Sequence, residues 1–128
     1  MTADKKRVLV IDDAALIRAY YRQALERAGY HVEEALNGLE GLEKLLMYAF
    51  DAVIVDINMP QMDGLTFLKL LRQKARPMAS VPALVTSTES KAVDFVAARR
   101  AGANCYLVKP IDREVLLEYA GMLSGLAP

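Results

Sequence analysis

Two things are nearly missing from this chain, cysteine and net charge. Cys105 is the single cysteine, which excludes an internal disulfide and suits a reducing, cytoplasmic setting. Lys+Arg number 16 and Asp+Glu number 16, so no bulk field draws the protein to nucleic acid or to a membrane surface. Long apolar runs are missing too. The polar stretch Met1 to Arg7 leads into Val8–Ile11, which is far too short for a signal peptide or a membrane span. Repeats, low-complexity tracts and internal linkers are not seen. What is present suits one globular domain: 128 residues, 54% of them apolar and 25% charged, enough for a real hydrophobic core. We read residues 1–128 as one domain, structured over about 7–124. The closing Gly125-Leu126-Ala127-Pro128 suits either a chain end or the start of a linker.

The stretch around which the chain is organised is Val53 to Gly64. A buried apolar strand runs to Val55 and ends abruptly in Asp56. Pro60, with its fixed φ and no N–H, and Gly64, which tolerates an unusual φ, then mark a structured loop. The same layout recurs. Val8-Leu9-Val10-Ile11 is followed by Asp12-Asp13, Ala83-Leu84-Val85 by Thr86-Ser87-Thr88, and Cys105–Val108 by Lys109-Pro110. His31–Ala35 is a weaker strand carrying two glutamates. Between the strands lie stretches with helical periodicity: 14–28, closed by Gly29; the stretch capped by Asn37; 65–74; 91–101, ended by Gly102; and a last helix capped by Asp112, with Ile111 stapled onto Leu116.

Five βα units predict an α/β fold: a doubly wound five-stranded parallel sheet between two helix layers. The most apolar strands, 8–11, 53–55 and 83–85, belong in the centre and the other two at the edges. The order is then 2-1-3-4-5, a flavodoxin-like three-layer sandwich with its switch point between the first and third strands.

Parallel strands put their carboxyl ends on one rim. Asp12, Asp13, Asp56, Thr86, Ser87 and Lys109 should therefore converge there. Three carboxylates repel one another, and a hard divalent cation with oxygen ligands relieves this. Mg²⁺ fits, since it takes one or two carboxylates plus phosphate oxygens. One Mg²⁺ and the Lys109 ammonium would balance three negative charges. Taken singly, Asp12 and Asp13 would read as a helix cap and a solvated acid, and Asp56 as an ordinary strand-end acid. The third acid and the lysine together argue for a site.

These residues resemble the receiver domain of two-component response regulators, most closely the single-domain chemotaxis (CheY-like) type. The likeness runs from Val8 through the last helix. It rests on Asp12-Asp13, on Asp56 followed by Asn58-Met59-Pro60 and Met62-Asp63-Gly64, on a hydroxyl after the fourth strand, on Ala101-Gly102-Ala103, and on Tyr106 before Lys109-Pro110. The resemblance implies that Asp56 takes a phosphoryl group from a sensor histidine kinase or phosphotransfer protein. It implies Asp13, Asp56 and the Asn58 carbonyl as Mg²⁺ ligands, with Asp12 acting through a coordinated water. Lys109 becomes the partner of a phosphoryl oxygen, and the Lys109–Pro110 bond is expected to be cis. Matching Glu89 and the spacing to Lys109 selects Ser87 over Thr86 and Thr88 as the switch hydroxyl, and alternation leaves one of Thr86 and Ser87 facing the site. Tyr106 would follow Ser87 inward and change the surface of helix 4, strand 5 and helix 5.

Three positions depart from that pattern. Thr88 stands where a small residue is usual, which bears on the lifetime of an acyl phosphate. Ile111 replaces a phenylalanine, a mild change. Ala14 replaces a small polar residue, so the first cap should fall to Asp13. The last helix carries two apolar stripes, Leu116/Ala120/Leu123 and Val115/Tyr119/Met122, one more than packing needs. Val96 is expected in the core with Phe95 beside it. Phe95, Tyr106 and Tyr119 are then candidates for the surface that meets a downstream protein target.

Four other readings stand beside a phosphorylation switch. A flavodoxin would need a hydroxyl- and glycine-rich loop after the first strand, and an aspartate-based phosphatase a second acid two residues beyond its first-strand nucleophile. Neither is present. A docking or dimerisation module without phosphate chemistry, or a receiver cut from a larger regulator, stays open. Neither direct nucleic-acid binding nor membrane insertion is expected, and no separate enzymatic substrate. His31 reads as a surface residue, Cys105 as a small buried one, and the six methionines form no site.

Overall fold

The structure, a computed structural model, describes residues 5–125. Its strands are β1 (Arg7–Ile11), β2 (His31–Ala35), β3 (Ala52–Asp56), β4 (Ala83–Ser87) and β5 (Cys105–Val108). The helices between and after them are α1 (Ala15–Arg27), α2 (Gly38–Met47), α3 (Gly64–Arg72), α4 (Ala92–Ala101) and α5 (Arg113–Ser124), with a 3-10 turn at Met78–Ser80. All strand pairs are parallel, in the order β2-β1-β3-β4-β5. The sheet is as the apolar runs predict, with the glutamate-bearing β2 and the short β5 at its edges. Every residue of β3 and β4 is buried, because helices cover both faces.

Alternation along the strands splits the core in two. Val8, Val10, Ile54 and Leu84 face α1 and α5, where they meet Tyr21, Leu25, Leu116 and Ala120. Leu9, Ile11, Val53, Val55 and Val85 face the other way, onto Phe67, Leu68, Leu71 and Ala98. The Val, Leu, Ile and Phe side chains among these are each worth about 1.5–3 kcal/mol when fully buried.

Several local expectations are corrected. Asp13 does not cap α1. Ala14 holds the cap position, and its N–H donates to Asp12 Oδ1 at 2.9 Å, so the deeper acid ties down the turn. Asp112 occupies the cap position of α5 without a side-chain cap bond, although Ile111 and Leu116 share one core cluster as a staple requires. Helix α3 begins one residue early, at Gly64, because Asp63 Oδ1 accepts from Thr66 N–H at 2.8 Å. Gly64 is needed for space and not for φ: a Cβ there would collide with the Asp56 carbonyl oxygen. The positive φ in this loop, 71°, belongs to Gln61. Val96 is 48% exposed; α4 packs through Ala98 and Ala101, small residues that bring the helix close to the sheet. The Lys109–Pro110 peptide is cis, as is Arg76–Pro77.

Candidate functional site

The rim at the carboxyl ends of β1, β3 and β5 gathers four charged groups. Each of Asp12, Asp13 and Asp56 offers a carboxylate oxygen, and these oxygens lie within 4.8 Å of one another. Asp12 and Asp56 are buried, whereas Asp13 is exposed. Lys109 reaches in from the far end of the sheet. Its Nζ lies 2.9 Å from Asp12 Oδ2 and 3.1 Å from Asp56 Oδ1. One cation thus bridges two buried acids while the third stays open to solvent.

The electrostatics follow from that packing. Burial pushes the Asp56 carboxyl upward; Lys109 opposes this, and the Asp12 and Asp13 charges add to it. Burial acts to lower the Lys109 pKa, but the Asp12 and Asp56 carboxylates outweigh it and the pKa is raised. The cluster is a crowded set of hard oxygen donors with one resident ammonium. That donor set fits a hard divalent cation such as Mg²⁺.

The strands and their first turns set this geometry. The Asp12 backbone extends the β1–β2 ladder, its N–H donating to Ala35 O at 3.1 Å. Arg18 from α1 donates to Asp12 O at 2.7 Å. After β3, Ile57 N–H donates to Thr86 O at 3.0 Å and Gly64 N–H donates to Ile57 O at 2.8 Å, which folds the loop back beside Asp56. Asn37 braces that loop from the β2 side by donating to Gln61 Oε1 at 3.1 Å. Asn58 is exposed in the loop, two residues beyond Asp56.

Ser87 is fully buried at the tip of β4, and its Oγ accepts from Glu89 N–H at 3.0 Å. Tyr106 donates its hydroxyl to the Glu89 carbonyl at 2.9 Å and meets the Phe95 ring edge-on, with centroids 4.6 Å apart. A continuous path therefore runs from Ser87 through the Glu89 backbone to Tyr106 and Phe95. Residue-type reasoning alone misses the Glu89 link, since backbone groups carry no type. Tyr119 is half-buried and packs against the α1/α5 core, while Tyr106 packs against the core on the opposite face. The structure thus pairs Phe95 with Tyr106, while Tyr119 packs on the other face of the sheet.

Thr86 and Tyr21 also reach this region. Thr86 is fully buried and its Oγ1 has no hydrogen-bond partner among the described residues. Tyr21 is 2% exposed. Burial pushes its phenol up to about 12, with Lys109 pulling it down and the Asp12 and Asp56 charges pushing the same way as burial. A buried phenol that senses all three charges was hidden in the sequence, where Tyr21 reads simply as one member of the apolar stripe of α1.

The sequence profile of the response regulator receiver domain family matches residues 8–120. Chemotaxis protein CheY1 of Helicobacter pylori is 36% identical over 121 residues, covering 93% of this chain and 97% of that protein. The solved structure of chemotaxis protein CheY4 of Vibrio cholerae superposes with a TM-score of 0.88 at 35% identity, covering 94% of this chain and 99% of that one. A CheY-like response regulator receiver domain protein of Methanospirillum hungatei gives a TM-score of 0.87 at 30% identity, with 96% of both chains covered. The CAI-1 autoinducer sensor kinase/phosphatase CqsS of Vibrio cholerae matches at 33% identity over 88% of this chain but 16% of its own length, so a segment of this kind also occurs inside a much longer protein. Sheet order, acidic rim and sequence profile converge: the chain belongs to the response regulator receiver domain family.

Proposed function

We propose that this receiver is a phosphorylation-controlled switch with Asp56 as its phosphoacceptor. The observation that carries the reading is the buried Asp56 carboxylate, held 3.1 Å from Lys109 and within 4.8 Å of the Asp12 and Asp13 oxygens. In the transfer, an Asp56 oxygen attacks phosphorus and forms an O–P bond. The P–N bond of a donor phosphohistidine breaks, and the imidazole leaves with a proton. Asp13, Asp56 and the Asn58 carbonyl would hold Mg²⁺, with Asp12 assisting through water. The bound cation supplies charge neutralisation at the phosphoryl oxygens. Lys109 turns from the two acids to a phosphoryl oxygen, so it supplies positive charge where negative charge gathers. The rest is positioning, because the chain contributes little covalent chemistry beyond the carboxylate.

The new charge biases a two-state element. Ser87 exchanges its bond with Glu89 for the phosphoryl group, the Glu89 loop moves, and Tyr106 follows. The output is read at α4, β5 and α5 by a downstream protein. The donor is a sensor histidine kinase or phosphotransfer protein, and the setting is the cytoplasm. A chemotaxis pathway is supported by the full-length likeness to two chemotaxis proteins.

Intact-protein mass after incubation with Mg²⁺ and a small acyl phosphate tests the acceptor. Wild type should gain one phosphoryl group and Asp56→Asn none. A wild type that gains nothing from the small donor, from a kinase or from a fluoroberyllate mimic would overturn the switch and leave a docking module.

A further inference from the structure

The register of the sheet puts Thr86 beside the phosphoacceptor. Asp56 pairs with Thr86 across β3–β4, and Thr86 pairs with Leu107 across β4–β5. Asp12 lies one step beyond the Ile11–Val55 pair, in line with Asp56. Neighbours in register on parallel strands point to the same face. Asp12, Asp56, Thr86 and Leu107 therefore form one row on the α1/α5 face. One row below, Val10, Ile54, Leu84 and Cys105 are all apolar.

Lys109 leaves the end of β5, two residues past Leu107, and its ammonium ends between Asp12 and Asp56. Its alkyl stem must cross β4 to get there, and the β4 member of the row is Thr86. Tyr21 covers the same face from α1. Tyr21 and Lys109 both line a groove of about 460 Å³ bounded by Ile17, Tyr20, Thr88 and Pro110. The Thr86 hydroxyl approaches the Tyr21 phenol without the geometry of a hydrogen bond. A valine at position 86 would fill the same volume with no unpaired hydroxyl, and leaving a buried hydroxyl unpaired is costly. The ammonium has three N–H groups, and Asp12 and Asp56 account for two.

We propose that Thr86 and Tyr21 are positioning residues for Lys109, their hydroxyls receiving one of its N–H groups as the ammonium leaves Asp12 for a phosphoryl oxygen on Asp56. This rests on Asp56 being the acceptor. The resting state leaves the Thr86 hydroxyl unspent, and the phosphorylated state uses it. The unsatisfied group is then a stability cost retained at a functional position.

Near-isosteric variants separate this from a packing role. The maximal phosphorylation rate with a small acyl phosphate at saturating Mg²⁺ is measured for wild type, Thr86→Val, Thr86→Ser and Tyr21→Phe. Mg²⁺ affinity and the melting temperature of the metal-free protein are measured alongside. Thr86→Val and Tyr21→Phe should each lose about tenfold in maximal rate, the scale of one hydrogen bond to a charged group. Mg²⁺ affinity should stay at the wild-type value, Thr86→Ser should restore the rate, and Thr86→Val should melt no lower than wild type. A wild-type rate in either Thr86→Val or Tyr21→Phe overturns the proposal while Asp56 as acceptor stands. So does a slow Thr86→Val that melts lower, or that serine fails to rescue. A wild type that accepts no phosphoryl group overturns both.

Discussion

The two edges of the sheet are built in opposite ways. At β2 both glutamates are clamped. Glu34 takes Arg18 at 2.9 Å and Arg22 at 2.7 Å on the α1 side, and Glu33 takes His31 at 2.8 Å and Lys44 at 3.5 Å. At β5 no comparable lattice exists among the described residues. Val108 is 38% exposed, and the flanking helices present Val93, Phe95 and Val96 from α4 and Val115 and Met122 from α5. Charges blunt one edge against further strand pairing. The other leaves a set of large apolar side chains exposed. The Ser87–Glu89–Tyr106 path runs to this second edge, so the end of the molecule left open is the one wired to the acidic rim.

Three measurements can break or sharpen that contrast. The largest effect concerns which edge responds. Phosphorylation, or fluoroberyllate with Mg²⁺, should change amide hydrogen exchange in 89–108 by several-fold and leave 31–35 within error. Asp56→Asn should abolish the response. Equal changes at both edges would break the comparison.

Next comes the aromatic pair. Phe95→Ala removes an edge-to-face contact worth about 0.5–1.5 kcal/mol beyond its buried area. It should weaken capture of a downstream partner at least tenfold while phosphorylation proceeds at the wild-type rate. Unchanged affinity with the fold intact would remove Phe95 from the partner surface.

The smallest effect belongs to the clamped edge. Glu34→Ala should cost about 0.5–1 kcal/mol in denaturant unfolding, given how partly exposed pairs behave, with no change in phosphorylation. The pH dependence has the same origin. The Arg22 hydrogen bond, aided by Arg18, holds the Glu34 pKa below the ordinary 4.5 despite burial, and the His31 hydrogen bond does the same for Glu33. A carboxylate whose folded pKa is depressed adds stability above its unfolded pKa and loses it as pH falls through the folded value. Stability at the β2 edge should therefore drop as pH falls below about 4.5, seen as smaller protection factors at 31–35 once the pH dependence of intrinsic exchange is divided out. A Glu34→Ala protein should show a shallower decline.

Much of this was legible in residue order because local patterns carry it. Apolar runs ending in Asp12-Asp13, Asp56 and Lys109 named the strands, their centrality and the polar rim. Glu33 and Glu34 marked an edge. Asn37 announced its cap, and its side chain does accept from Glu40 N–H at 2.9 Å. The failures have a shared cause. Val96 has the periodicity of a core residue, yet the closeness of α4 to the sheet is set by Ala98 and Ala101, and Val96 is left outside. Asp13 has the right chemistry for a cap, but Ala14 takes the cap position and the exposed Asp13 carboxylate sits with Asp12 and Asp56 in the acidic cluster. Gly64 could be read only as a loop marker, and its clearance from the Asp56 carbonyl shows in the fold alone.

By itself, the sequence determined the βα alternation, the sheet order and the residue types delivered to the rim. Those follow from side-chain period and from chirality, which act over a few residues. Only the tertiary structure decided which side chains stand next to one another. Asp56, Thr86 and Leu107 are separated by 30 and 21 positions and become neighbours through strand register. Tyr21 is brought over that row by the packing of α1, and Lys109 spans the row because its stem is long enough to cross β4. Periodicity tells which face a residue takes, whereas proximity across a sheet comes from non-local pairing, and that is where the chemistry of this rim is set.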